Sequence, residues 1–223
     1  MVIEKEHGEK SDYAYNLIKE KIFSWEYGPG QKLNVSKMSK EMEISPIPLR
    51  EALSRLQSSK LVILIPNKGY HVTDILDEVS MKKMSEFRLL LESEAIKNII
   101  RNNKMECIVN LENINMKIEQ IKITNYREIL DFNNLDNMFH LELIKNSENN
   151  FLIESFESLF CHLHIARFYY RRGAVDQQET VREHERIIKS IQMRDMDYAL
   201  EFIKEHILGA SNRLLEKDPN KSF

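Results

Sequence analysis

A chain of 223 residues is long enough for two modest domains or one large one. With 42% hydrophobic and 30% charged residues it reads as soluble and globular, which sets aside intrinsic disorder. The net charge of −3 gives no overall sign of a nucleic-acid binder, no apolar run approaches a membrane span, and two cysteines, Cys107 and Cys161, exclude a disulfide framework and fit a reducing cytoplasm.

The charged N-terminus, M-V-I-E-K-E-H-G-E-K, has no apolar signal core. Asp12 to Trp25 carries Ala14, Leu17, Ile18, Ile22 and Phe23 at helical spacing and stops at Tyr-Gly-Pro-Gly. A short helix is expected over Ser36–Met42. In I-S-P-I-P-L-R-E-A-L-S-R-L, Ser45 suits an N-cap and Pro46 the first helical position. Pro48 is tolerated because amides of the first turn have no intrahelical partner. Leu49, Ala52, Leu53 and Leu56 form the inward stripe, leaving Ile47, Arg50, Ser54 and Arg55 off it. L-V-I-L-I-P-N-K-G-Y-H-V then reads as a hairpin about an Asn-Lys-Gly turn. Gln31 to Thr73 holds seven basic residues against three acidic ones in an otherwise acidic chain. Three helices and a hairpin, in that order, make a winged helix-turn-helix, which offers the start of its third helix to base edges.

From about Asp77 the periodicity is helical, with spans expected at Glu78–Asn102, Lys104–Ile121, Tyr126–Asn146, Asn150–Tyr170, Thr180–Arg194 and Met196–Leu215, and Asp195 as a cap. Short connections between six helices describe an all-α bundle. One stripe is odd. Phe132, Asp136, Phe139, His140, Leu143 and Ile144 share a face, so two ionisable groups lie on an inward surface, at a cost unless they are paired or bound. His184 shares a face with Ile188 and Ile191, and His206 with Ala199, Phe202, Ile203 and Ala210. Facing helices of a bundle can converge such groups on one point. Three imidazoles and a carboxylate suit Zn²⁺, Ni²⁺, Mn²⁺ or Fe²⁺, while hydrogen-bonded structural histidines are the alternative. Arg88, one turn before Glu92, reads on spacing alone as a surface i,i+4 ion pair. His162, His164, Cys161 and the Arg171-Arg172 pair suggest packing or a solvated helix end.

Two sets of motifs resemble a known family. P-G-Q-K-L, S-P-I-P-L-R-E-A-L-S-R-L and L-V-I-L-I-P-N-K-G-Y-H-V are similar, over about Tyr13 to Thr73, to the DNA-binding domain of the GntR family of bacterial regulators. D-N-M-F-H-L-E-L-I-K-N-S-E-N, E-H-E-R-I-I-K-S-I-Q-M-R-D and A-L-E-F-I-K-E-H resemble the FCD ligand-binding domain of its FadR subfamily, and six helices would be similar to the VanR-like branch. The resemblance implies that Ser45 and Arg50 contact operator phosphates and bases and that Lys68-Gly69 forms the wing tip. With the residues off the helical stripe, the expected DNA-binding set is Ser36, Ser45, Ile47, Arg50, Arg55, Lys68 and Gly69. Many members carry arginine where this chain has Pro46, and often a polar residue such as arginine at Ser36, so base preference should differ. In metal-binding members an Asp and three His hold the ion, which carries over to Asp136, His140, His184 and His206. Members that bind acyl-CoA instead have incomplete ligand sets. The family pattern places an arginine such as Arg88 near the ligand cavity, where it can clamp a carboxylate.

The expected fold is therefore mainly α: a winged helix-turn-helix over 9–75, an all-helical FCD-type domain over 76–217, and a tail at 218–223. The expected function is a non-enzymatic, cytoplasmic regulator, a homodimer on a pseudo-palindromic duplex operator, with no membrane partner. Repression is the expected sense of control. The expected cofactor is a divalent metal, Zn or Ni before Mn or Fe, and the expected effector is a small carboxylate. A metal-responsive regulator and, further off, a His3Asp metalloenzyme are the alternatives. Against the enzyme stands the lack of a recognisable general base.

Overall fold

The computed structural model describes residues 2–24, 26–124, 126–159 and 173–215, with the side chains of 2–8, 126, 127, 130 and 173–176 excepted. The chain separates into two compact units, Met1–Ile75 and Leu76–Phe223.

In the first unit α1 spans Val2–Phe23, and Ala14, Ile18 and Ile22 recur every fourth residue on its buried face. The helix begins well before the expected Asp12, since polar residues ahead of the apolar repeat carry no periodic signal. Strand β1 (Lys32–Leu33) is followed by α2 (Val35–Met42), whose N-cap Asn34 accepts from the Lys37 amide at 3.1 Å. Glu43, at φ 55°, ends that helix in the left-handed region. Helix α3 (Pro46–Ser58) starts at Ser45, which takes the N-cap position without a side-chain capping bond. Leu49, Ala52, Leu53 and Leu56 are all buried, as their spacing predicts.

The wing consists of β2 (Val62–Ile65) and β3 (Gly69–Val72), antiparallel with Ile65 opposite Gly69. Asn67 (φ 61°) and Gly69 (φ 90°) turn the chain through backbone regions that asparagine and glycine tolerate. The hairpin is one part of a three-stranded sheet ordered β1-β3-β2, with Leu33 paired to Tyr70. Two residues are too few for β1 to show alternation in the sequence.

In the second unit Asp77 caps α4 (Glu78–Arg101), its carboxylate accepting from Ser80 N at 2.7 Å. There follow α5 (Cys107–Gln120), α6 (Tyr126–Lys145), α7 (Asn150–Glu157), α8 (Gly173–Gln192) and α9 (Met196–Leu215). Asp195 accepts from Tyr198 N at 3.2 Å, which makes it the cap expected between α8 and α9. The span expected at Thr180 begins at Gly173, because glycine and a run of polar residues hide the first two turns from a periodicity reading. The helix expected over Asn150–Tyr170 is shorter, ending at Glu157 with turn residues at Ser158 and Leu159; His162, His164, Cys161 and Arg171-Arg172 lie outside the described residues. The main core gathers Ile96, Ile99, Leu111, Phe132, Ile187 and Ile203 from five helices. No helix among the described residues is long and apolar enough to cross a membrane.

Candidate metal centre

All six members of the odd stripe on α6 are buried, including Asp136 and His140. Helix α8 brings His184 to the same point and α9 brings His206, both fully buried. One ligand atom from each of Asp136, His140, His184 and His206 lies within 4.8 Å of the others. His140 Nε2 stands 3.0 Å from His206 Nε2 and 3.8 Å from Asp136 Oδ1, and His184 Nε2 lies 3.7 Å from the same oxygen. Donors that bind one ion at about 2.0–2.2 Å sit about 3–4 Å apart, so this spacing accommodates a shared cation after small adjustment.

The outer nitrogens decide the tautomers. His140 Nδ1 is 2.6 Å from Glu92 Oε2, His206 Nδ1 is 2.7 Å from Glu183 Oε2, and His184 Nδ1 is 3.2 Å from Asn115 Oδ1. Burial opposes charge on Glu92, yet Arg88 and His140 hold its carboxyl well below the usual range. Glu183 is buried too, and the hydrogen bonds from His206 and Arg213 bring it below the usual range. Ionised carboxylates only accept, and Asn115 is oriented by its own amide bond to Val181 O at 3.1 Å. A proton on each Nδ1 suits these acceptors, and in that tautomer a bare Nε2 turns inward.

Burial, then the charge of Arg88, pushes His140 down to about 4, against the opposite pull of Glu92 and Asp136. Burial and the neighbouring His206 and His140 push His184 well below its ordinary value. His184 Nε2 has no hydrogen-bond partner among the described residues. The facing Nε2 atoms of His140 and His206, 3.0 Å apart, need a proton or a cation between them. The donor set thus fits a divalent ion.

Arg88 is not the surface ion pair that its spacing suggests. It is 2% exposed, and its Nε donates to Glu92 Oε1 at 2.6 Å, so the chain of contacts runs Arg88–Glu92–His140. Glu92, Asn115 and Glu183 were not legible as site residues from histidine placement alone. Asn115 had a signal: it shares the apolar stripe of Leu111, Ile114 and Ile118, as Asp136 shares that of Phe132 and Phe139.

In the first unit Ser36, Ser45, Ile47, Arg50 and Lys68 are exposed and Gly69 is half-buried. Ile47, 61% exposed, projects from the first turn of α3 between Pro46 and Pro48. Arg55 is different: it lies in the last turn of α3, pairs with Asp12 Oδ1 at 2.6 Å and stacks over Tyr15 at 4.5 Å.

Comparison with known proteins agrees with these two halves. Residues 10–72 match the bacterial regulatory proteins of the gntR family, and residues 83–209 match the FCD domain. The HTH-type transcriptional regulator YdhC of Bacillus subtilis is 26% identical over 89% of this chain and 86% of its own. The Nta operon transcriptional regulator of Aminobacter aminovorans is 25% identical, over 86% and 89% respectively. The solved structure of Escherichia coli McbR/YncC shares the fold, with TM-score 0.69 at 18% identity, over 92% of this chain and 96% of that one. The first two of these relatives are named as transcriptional regulators. A gntR-type winged helix-turn-helix followed by an FCD domain makes this chain a member of the GntR family of transcriptional regulators, with the architecture of its FadR-like subfamily.

Proposed function

We propose that this regulator binds operator DNA under the control of a small carboxylate held at a metal site in its FCD domain. The observation that carries the proposal is the buried convergence of three Nε2 atoms and one carboxylate oxygen. Asp136, His140, His184 and His206 hold the ion, zinc or nickel before manganese or iron. When bound, the ion supplies positive charge and an open coordination position.

Charge accounting favours an anion there. Arg88 with Glu92, and Arg213 with Glu183, are neutral pairs, and imidazoles that ligate a metal do so in their neutral form. A divalent ion with Asp136 therefore leaves one uncompensated positive charge in a buried site, which an organic carboxylate neutralises. Arg88, whose Nε donates to Glu92 Oε1 at 2.6 Å, is the side chain that clamps the acid through its terminal guanidinium nitrogens.

On the DNA side, Arg50 and Ser45 meet base edges and phosphates from the start of α3. Ile47 adds apolar contact, Ser36 and Arg55 support the backbone, and Lys68 and Gly69 form the wing contact. A homodimer presents two such helices to a pseudo-palindromic operator in the bacterial cytoplasm, and by this reading acts as a repressor. The effector shifts operator affinity only as far as it discriminates between the two arrangements of the DNA-binding units.

Elemental analysis of the purified protein, followed by thermal-shift measurement against a panel of small carboxylates, tests this. The expected result is about one divalent ion per chain and at least one acid that stabilises only the metal-loaded form. An acid that stabilises the metal-free form equally would remove the metal from the effector site. If metal exchange alone changes DNA affinity and no acid does, the ion itself is the signal.

A further inference from the structure

The surroundings of His206 reach beyond the cluster. Glu183, one residue before His184 on α8, accepts two hydrogen bonds from Arg213 on α9: Nη1 to Oε1 at 3.0 Å and Nη2 to Oε2 at 3.1 Å. This is the two-pronged pairing that sets direction as well as charge. Arg213 lies two helical turns beyond His206, so both side chains leave α9 on the same side. Between them stands Gly209. A Cβ at that position would come within 3.0 Å of Arg213 Nη1 and 3.7 Å of Glu183 Oε1. Helices otherwise disfavour glycine, and here a Cβ would press on the guanidinium, which would have to give by a few tenths of an ångström.

We propose that Glu183 is a positioning residue for the metal centre, held by Arg213 across the gap left at Gly209, and that it keeps the His206 proton on Nδ1. The neutral imidazole has two tautomers, and only one turns a bare Nε2 toward His140 and Asp136. Arg213 occupies both carboxylate oxygens, which stops Oε2 rotating off the ring. The inference rests on reading the cluster as a metal site, but its tautomer component does not require the ion.

Full-length variants test it with two readouts. Glu183→Gln replaces an acceptor oxygen by a donor, and Arg213→Met removes the fork. Arg186→Met is the control, because the exposed Arg186–Glu205 pair (2.9 Å) also links α8 to α9. Ring-¹⁵N histidine NMR of metal-stripped protein reports which nitrogen carries the proton, and chelator competition reports Zn²⁺ affinity. In wild type and Arg186→Met, His206 Nδ1 is protonated and zinc affinity is the same. In Glu183→Gln the His206 signal shifts toward the other tautomer and zinc affinity falls about 10–100-fold. Arg213→Met acts in the same direction by a smaller factor.

Retention of both the tautomer and wild-type zinc affinity in Glu183→Gln and Arg213→Met overturns the proposal. So does an equal loss in Arg186→Met, which would make the effect one of helix pairing. Should Glu183→Gln fail to fold, the half-exposed Arg213 position decides. A wild-type protein that binds no zinc ends the metal reading instead, while the NMR tautomer still judges Glu183.

Discussion

His184 shows how a single side chain is fixed in place. Its ring stacks on Phe139 with centroids 3.6 Å apart and planes 3° from parallel, and its Nδ1 lies 3.2 Å from Asn115 Oδ1. Packing and hydrogen bonding thus restrict both freedoms of the ring. His184→Ala should lower bound metal well below one per chain in elemental analysis, with the DNA-binding unit still folded by circular dichroism and DNA titration. Stoichiometric metal in that variant would show the ligand set to be wrong. Cys107 is the opposite case. Burial pushes its thiol up to about 11, and its Sγ donates to Lys104 O at 3.2 Å. At pH 8 on the order of 0.1% is thiolate, the reactive form. Iodoacetamide at pH 8 should leave Cys107 unmodified in the native protein and alkylate it in urea, as read by peptide mass spectrometry.

Helix α3 divides its two faces between stability and recognition. Leu49, Ala52, Leu53 and Leu56 are wholly buried, while Ile47 and Arg50 face solvent. Leu53→Ala should cost about 2–5 kcal/mol in denaturant unfolding of the first unit, from lost transfer energy and the cavity left behind. Arg50→Ala should leave that stability and the metal content unchanged and weaken operator binding by about 1–3 kcal/mol, the range of a good bidentate base contact. Unchanged DNA affinity would remove Arg50 from the interface. Prolines at two of the first three positions suit the helix start but subtract two amide donors, and Pro46 carries no side-chain donor. In the proposed function, recognition from this turn therefore leans on Ser45, Ile47 and Arg50.

For the molecule as a whole, the two compact units provide separate reporters of separate ligands. Metal that binds the native second unit stabilises it by about 2.7 kcal/mol at a free concentration one hundred times its dissociation constant. Chelation should therefore lower the melting temperature of the helical unit by several degrees in calorimetry, leaving the winged unit where it was. Leu53→Ala should move the other transition. A chelator that shifts both together would mean that the units melt as one.

Amino-acid order by itself determined the helical faces and most of the element order, because apolar period and capping chemistry act over a few residues. Met196–Leu215 is recovered residue for residue, and the buried faces of α3 and α6 fall where their spacing puts them. The same logic marked Asp136, His140, His184 and His206 as ionisable groups facing inward. Tertiary structure alone decided what each inward atom meets. Arg88 is a buried prop for Glu92, Arg55 is drawn back onto α1, and β1 exists through its pairing with β3. Glu92, Asn115 and Glu183 are 48, 69 and 23 residues from the histidines they orient. Periodicity reports which way a side chain points, whereas hydrogen bonding across such separations depends on how distant helices pack, and no local spacing encodes that.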